Sequence, residues 1–422
     1  MNAVVFPSRL NGKVKIPGSK SVMQRLCALA LLHAGTTIIH HPDNSDDSET
    51  ALKIISVLGA SITQEEDFLR VESSGEVLYS GELNFGESGL ACRMFLPIAA
   101  LSRNKISLTG EGSLLKRPLT FFNEVLPVLG VLMLSKDGFL PFVIRGPLVP
   151  QRIQVDGSES SQGITGLLYA FASSVKANTL LSVTKVVSKP YIDLSISLLE
   201  PFGMSAKWMT DDRIFIFPRK QILGNVEVTV EGDWSSAAFL LIAGVLCGDI
   251  QIENLNPHSQ QGDKFILDIF SKIGIHYSIN KLGVSVKQQR DFKSFTCDLT
   301  HTPDLFPPLV VLASFANGRS VLKGAGRLVN KESNRAVELV KMFSSLGVNL
   351  FFADDEISVE GIGKVNGGSV DGVNDHRMVM AAAIAALAAD GPITIAGAGA
   401  VSKSYPEFFT GLQQLGAQVS LI

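Results

Sequence analysis

SVLGASI, residues 56–62, reads as the end of a helix running into a strand. Val57 and Leu58 close an apolar helical face. Gly59 stands where a helix C-terminus needs a left-handed residue, and Ala60–Ile62 begins an extended run. The same device recurs five times: PVLGVLM at Gly130, EPFGMSA at Gly203, SKIGIHY at Gly274, SSLGVNL at Gly347 and QQLGAQV at Gly416. Successive glycines are 71, 73, 71, 73 and 69 residues apart. Spacing this even marks an internal repeat of about seventy residues.

Working outward, the rest of each unit agrees. Each glycine-capped helix follows a β-like run and a polar loop, such as TTIIHHPDNSDD in the first unit and ITIAGAGAVSKSYP in the last. Another apolar helix precedes that run and is opened by a polar cluster. The openings are Ser21, Glu87-Ser88-Gly89, Ser160-Ser161-Gln162, Asp233-Trp234-Ser235-Ser236, Pro303-Asp304 and Asn374-Asp375-His376-Arg377. One unit therefore reads strand–helix–strand–helix–strand, with further short strands between. Three units make a domain of about two hundred residues and six make two. The boundary is expected around Val230–Ser236. Residues 1–17 form strands with no unit of their own and could complete the C-terminal half.

Composition narrows the class. The chain has 422 residues, 46% hydrophobic and 18% charged, which fits a compact soluble enzyme and excludes a disordered protein. A net charge of −3 provides no basic field for nucleic acid. Cys27, Cys92, Cys247 and Cys297 are far apart and read as reduced thiols of a cytoplasmic protein, not a disulfide frame. MNAVVFPSRLNG shows no signal-peptide core, and the longest apolar run, Met378–Ala389, is too short to cross a bilayer.

The stretch Ile16–Arg25, IPGSKSVMQR, opens the first helix with Lys20, Ser21 and Arg25 after a Pro-Gly break. Unpaired N–H groups at a helix start, with added Lys and Arg, suit a phosphate or carboxylate. The glycine spacing is not that of a Walker A loop. Other cations fall at equivalent places: Arg93 one turn into the second helix, Arg117 in KRPL, Lys331 and Arg335 in NKESNR, Arg377 in NDHR and Lys403 in VSKSYP. In a slightly acidic chain, this clustering points to an anionic ligand with more than one phosphate or carboxylate.

Among the acids, Asp304 reads either as an ordinary N-cap or as a reacting carboxylate. Glu332, between Lys331 and Arg335, reads as a helix-start carboxylate or as a proton-transfer group controlled by its flanking cations. His376 could be an acid or base. His40 and His41 beside Asp43, Asp46 and Asp47 match no standard metal spacing. There is no Ser-His-Asp order, dinucleotide fingerprint or HExxH.

The ordered set PGSKSVMQR, EGSLLKRPL, VDGSESSQ, VSKPYID, VEGDWSSA, QGDKF, Pro303-Asp304, NKESNR, NDHRM and KSYPEF resembles the EPSP synthase family of enolpyruvyl transferases from end to end. The resemblance implies an α/β fold: a two-domain inside-out α/β barrel of six βαβαββ repeats, three per domain, with the active site in the interdomain cleft. The expected domains are 18–234 and 1–17 plus 235–422, with crossovers near 17–20 and 231–236. The implied reaction transfers the enolpyruvyl group of phosphoenolpyruvate to the 5-hydroxyl of shikimate 3-phosphate, by addition and then elimination of phosphate. It implies no metal and no cofactor, small-molecule substrates only, no nucleic-acid or membrane partner, and a cytoplasmic monomer.

Residue by residue, the resemblance implies that Lys20, Ser21 and Arg25 hold shikimate 3-phosphate, with Ser160, Ser161, Gln162, Ser188 and Tyr191. Asp304 and Lys331 would face the ring hydroxyls. Lys20, Gly89, Arg117, Gln162, Arg335, Arg377 and Lys403 would grip phosphoenolpyruvate. Asp304 would serve as base for the hydroxyl, Glu332 as the acid near C3 that later removes a proton, and Lys20 would complete the catalytic set.

Two departures stand out. Glu87-Ser88-Gly89-Leu90 replaces the family's Asn-Ala-Gly-Thr, placing a carboxylate beside an anionic substrate and altering the surroundings of the family's inhibitor, glyphosate. Arg327 occupies a position that is often neutral. The nearest rival, an enolpyruvyl transferase acting on UDP-N-acetylglucosamine, uses a cysteine in the loop that here reads GEGSLLKRPL. A non-catalytic phosphometabolite-binding relative would not need Lys20, Asp304 and Glu332 together. An RNA-end-processing relative would need a basic surface and a histidine nucleophile.

Overall fold

A computed structural model describes residues 1–220, 224–289 and 291–422. The chain divides into two compact units, Lys20–Val230 and Met1–Ser19 with Glu231–Ile422.

The unit Lys20–Val230 contains three four-stranded sheets of one plan. In the second, Gly81–Asn84 runs parallel to Lys105–Thr109, and the helix Gly89–Ala99 connects them. Phe139–Arg145 lies antiparallel beside Lys105–Thr109, and Leu132–Lys136 forms the edge. Ile153–Asp156, Thr179–Thr184, Arg213–Phe217 and Ser205–Thr210 repeat the plan across the helix Ser161–Ser174. In the first sheet, Ala34–His40, Phe68–Ser74 and Ser61–Gln64 take the same places. Its parallel strand comes from the far end of the unit, Val226–Thr229.

The other unit repeats this design. Thr296–Asp298, Asn317–Lys323, Glu356–Ile362 and Asn349–Ala353 form one sheet. The other two are each completed by the N-terminal residues. Leu10–Lys15 pairs in parallel with Gly248–Glu253, beside Gly283–Val286 and Tyr277–Asn280. Ala3–Val5 inserts between Ile393–Ala396 and Val419–Leu421, with Gly368–Asp371 parallel at the far edge. Residues 1–17 thus complete the C-terminal half.

Why helices form the inside of each unit follows from their composition. Trp234–Cys247, Phe306–Phe315 and His376–Ala388 are apolar on nearly every side, and a helix hydrophobic all round must be buried. The three pack on one another, as do Lys20–Leu32, Gly89–Ala99 and Ser161–Ser174 in the other unit. Helices with one apolar face lie further out, such as Asp46–Val57, which buries Ala51, Ile54 and Ile55. Strands alternate to match: Leu140, Phe142 and Ile144 of Phe139–Arg145 are buried while Arg145 faces solvent. Sheets therefore lie around a helical centre, the inside-out arrangement.

All six repeat glycines have positive φ, from 68° at Gly203 to 119° at Gly59. The expected domain limits shift by a few residues, from 17/18 to 19/20 and from 234/235 to 230/231. The cause is a short backbone clasp within one unit. Ser19 N–H donates to Glu231 O at 2.7 Å, Asp233 N–H donates to Pro17 O at 3.0 Å, and Gly18 bridges Gly232.

Candidate active site

In the C-terminal unit, Pro303 starts a single 3-10 turn, Pro303–Leu305, ahead of the helix Phe306–Phe315. The helix cap position is Leu305, and no side chain caps it. Asp304 is therefore not the N-cap that its sequence position allows. Its carboxylate meets three cations instead. Oδ1 lies 2.9 Å from Arg335 Nη1 and 3.2 Å from Lys331 Nζ, and Oδ2 lies 3.2 Å from Arg377 Nη2.

Lys331 and Arg335 come from the far end of the same repeat, and Arg377 from the next one. Lys331 and Glu332 occupy the turn before the helix Arg335–Ser345, whose N-cap Asn334 accepts from Val337 N–H. Arg335 Nη2 also contacts the Glu332 carboxylate. Arg377 is the second residue of His376–Ala388, capped by Asp375 through the Arg377 N–H at 3.0 Å. His376 is buried beside it. Lys403 ends the 3-10 turn Ala398–Lys403 and donates to Asn374 O at 2.9 Å. Three loops that are far apart in the chain thus bring Asp304, Lys331, Glu332, Arg335, Asp375 and Arg377 together.

Electrostatics set the protonation states here. Burial alone would raise the Asp304 carboxyl, but Arg377, Lys331 and Arg335 outweigh it and hold Asp304 well below the usual carboxylate range. Burial lowers the Lys331 ammonium, although the Asp304 charge opposes that shift. Burial would also lower the Arg335 guanidinium, but Asp375, Glu332 and Asp304 overcome it and raise the group above its ordinary value.

In the other unit, Lys20 is the first residue of Lys20–Leu32, and its Nζ lies 3.0 Å from Asp47 Oδ2. Arg25 is 1% exposed. Its Nη1 donates to Ser21 O at 2.8 Å, Nε to Ser195 Oγ at 2.9 Å and Nη2 to Tyr191 O at 3.4 Å. All three acceptors are neutral, and burial lowers the guanidinium pKa. Ser195 Oγ also donates to Tyr191 O at 2.7 Å and lies 2.8 Å from Thr165 Oγ1. Ser195 and Thr165 escaped the sequence reading because both sit inside helices, without a charge or motif to signal them.

Ser160 caps Ser161–Ser174, accepting from Gln162 N–H at 3.2 Å, so the SSQ cluster forms a helix start. Ser188, before the helix Lys189–Ser197, is buried with φ 51°, a left-handed backbone that costs a non-glycine residue about 1–2 kcal/mol. Such strain is found where surrounding structure over-determines a functional residue.

Gly89 opens Gly89–Ala99 behind the cap Ser88. A Cβ there would lie 2.6 Å from Arg117 Nη1 and 3.2 Å from Arg93 Nη1, so only glycine leaves both guanidinium groups in place. Arg117 Nη2 donates to Ser113 Oγ at 2.8 Å. Arg93 Nη2 donates to Pro118 O at 3.1 Å and lies 3.5 Å from Glu159 Oε1. The Glu87 carboxylate packs on Gly112, where a Cβ would overlap it.

The histidine–aspartate stretch disperses. His40 Nε2 lies 3.5 Å from Glu227, Asp43 accepts from Ser45 and Ser48, and Asp47 pairs with Lys20. Among the described residues, no group of three His, Cys, Asp or Glu could hold a metal, and no helix is long and apolar enough to cross a membrane.

Residues 4–412 match the family model described as EPSP synthase (3-phosphoshikimate 1-carboxyvinyltransferase). A 3-phosphoshikimate 1-carboxyvinyltransferase from Methanocorpusculum labreanum is 34% identical, over 99% of both chains. One from Methanosarcina mazei is 35% identical, over 100% of this chain and 99% of its own. A solved EPSP synthase from Acinetobacter baumannii aligns over 100% of both chains with a TM-score of 0.82 at 25% identity. The enolpyruvyl transferase NikO from Streptomyces tendae shares the fold at a TM-score of 0.78 and 17% identity, over 99% of this chain and 98% of its own. With its repeats, its acid–cation cluster and a match along almost its whole length, the chain belongs to the EPSP synthase family.

Proposed function

We propose that this chain transfers the enolpyruvyl group of phosphoenolpyruvate to the 5-hydroxyl of shikimate 3-phosphate, releasing phosphate, as a cytoplasmic monomer of the shikimate pathway. The observation that carries this reading is the carboxylate of Asp304 held by Lys331, Arg335 and Arg377, with Glu332 on the same arginine. The four cysteines are free and buried, which fits a reducing compartment.

The chemistry needs a base for the hydroxyl, an acid at C3 of phosphoenolpyruvate and cations for the departing phosphate. Asp304 is the base. Caged by three cations, it is too weak a base as it stands. An anionic substrate that takes over Arg335 and Arg377 relieves that cage and raises its proton affinity. Asp304 thus occupies the anion's place until substrate arrives. Glu332 donates the proton to C3 and removes one from the same carbon when phosphate leaves. Arg335, Arg377 and Lys403, with Gly89, Arg117 and Gln162, grip phosphoenolpyruvate. Lys331 faces the ring hydroxyls of the other substrate.

Ser21, Ser160, Ser161, Gln162, Ser188 and Tyr191 bind shikimate 3-phosphate, together with Lys20, which also reaches phosphoenolpyruvate and completes the catalytic set. Arg25 contributes a buried positive charge whose bonding partners are all neutral, which favours a nearby anion.

The test is release of inorganic phosphate from phosphoenolpyruvate by the purified chain. Release should require shikimate 3-phosphate. Release with UDP-N-acetylglucosamine and none with shikimate 3-phosphate would overturn the reading.

A further inference from the structure

Ser195 lies late in the helix Lys189–Ser197 and is wholly buried. Alanine would suit such a place better, because it favours the helix and hides no hydroxyl. The hydroxyl is instead engaged three times. Its oxygen accepts from Arg25 Nε at 2.9 Å, its proton goes to Tyr191 O at 2.7 Å, and Thr165 Oγ1 lies 2.8 Å away. A carbonyl oxygen can only accept, so Ser195 spends its one proton on Tyr191. Thr165 must then be the donor to Ser195. Two lone pairs and one proton are all in use, which holds the hydroxyl in a single orientation.

The three partners come from the three segments of the Lys20–Val230 unit assigned above to shikimate 3-phosphate. Arg25 belongs to Lys20–Leu32, which begins with Lys20 and Ser21. Thr165 lies one turn after Ser161 on the helix that Ser160 caps. Tyr191 follows Ser188 on the helix of Ser195 itself. Arg25 lays its Nε and Nη2 on Ser195 Oγ and Tyr191 O, the edge with which a guanidinium takes a carboxylate. Both acceptors here are neutral, so the geometry of a carboxylate is supplied without its charge. Its Nη1 donates to Ser21 O. Of the five N–H groups of a guanidinium, two then remain for an anion.

We infer that Ser195 is a positioning residue for shikimate 3-phosphate, fixing the Arg25 guanidinium while tying the three substrate segments together and leaving the positive charge uncancelled. It acts through Arg25, and the inference rests on the assignment of Arg25 to that substrate. Thr165 supports it by supplying the proton that fills the last lone pair of Ser195.

The test is a double-mutant cycle read by calorimetry, titrating shikimate 3-phosphate into the full chain, Ser195→Ala, Arg25→Gln and the double variant. Ser195→Ala should weaken binding about 10-fold, the size of one hydrogen bond to a charged group. In the Arg25→Gln background the same change should cost less than about 2-fold, because a residue that acts through another has no effect once that other is gone. KM for phosphoenolpyruvate at saturating shikimate 3-phosphate should stay within about 2-fold of the parent value. Thr165→Val, which keeps the side-chain shape, should weaken shikimate 3-phosphate binding about 2- to 4-fold, and it carries the test if Ser195→Ala does not fold. Parent-like binding by these variants would overturn the inference. So would a loss that persists undiminished when Arg25 is already Gln, since that marks a general disturbance of the fold. No binding of shikimate 3-phosphate by the parent chain would overturn the functional reading and this inference together.

Discussion

Asp375 grips Arg335 with both carboxylate oxygens, Oδ2 at 2.7 Å from Nε and Oδ1 at 3.0 Å from Nη2, and both residues are at most 1% exposed. The same carboxylate caps His376–Ala388 through Arg377 N–H and accepts from Ser333 Oγ at 3.1 Å. One buried acid therefore sets the position of two cations of the proposed site. Removing one partner of a buried pair leaves an uncompensated charge, a loss of about 3–5 kcal/mol. Asp375→Ala should lower unfolding free energy by that amount in urea, with turnover falling in the fraction still folded. A change below about 1 kcal/mol would show that the pair does not hold the fold.

Asp304→Asn keeps the shape and removes the charge on which Lys331, Arg335 and Arg377 converge. Turnover should fall about 10²- to 10⁴-fold, the usual contribution of a positioned acid–base group. Affinity for phosphoenolpyruvate, measured by calorimetry, should hold or improve, because the internal competitor for the cations is gone. Weaker phosphoenolpyruvate binding would contradict the placeholder role.

Glu332→Gln should reduce kcat by a similar factor while leaving shikimate 3-phosphate binding within about 3-fold. Turnover like that of the parent chain would remove Glu332 from the mechanism.

At Gly89, an added methyl meets the far ends of Arg117 and Arg93, not backbone. Flexible side chains give way more readily than a helix start. Gly89→Ala should therefore fold with little loss of stability but displace Arg117, raising KM for phosphoenolpyruvate about 10-fold, with a smaller effect on KM for shikimate 3-phosphate. Equal effects on both constants would argue against a specific role for Arg117.

His33 follows the helix Lys20–Leu32, with Nδ1 3.0 Å from Arg219 Nη2. Burial, and then the Arg219 charge, lower its pKa below the ordinary 6.5. The unfolded chain then binds a proton at 6.5 that the folded chain refuses, so stability is lost as pH falls through that value. The loss approaches about 1.4 kcal/mol per pH unit for one proton. Unfolding free energy should thus drop less between about pH 7 and about pH 5 in His33→Gln than in the parent chain. An equal drop would assign the pH dependence to other groups.

The sequence alone determined the six-fold repeat, because a helix C-terminus demands a left-handed residue and that demand is local. Gly59 and its five counterparts announce it without knowledge of their neighbours. Local chemistry also determined that Lys20, Gln162 and Arg377 stand at helix starts, and motif order determined the family. What each charge touches was decided only by the fold. Asp304 reads in the chain as either a cap or a reacting carboxylate, and it becomes a carboxylate among three cations because Lys331 and Arg335 return to it from the far end of its own repeat and Arg377 arrives from the next. Arg25 reads as a helix-start cation suited to an anion, and it is buried on Ser195 and Tyr191, about 170 positions downstream in the chain. Secondary structure answers to neighbours within a few residues. Protonation, burial and pairing answer to neighbours in space, and those only the tertiary structure supplies.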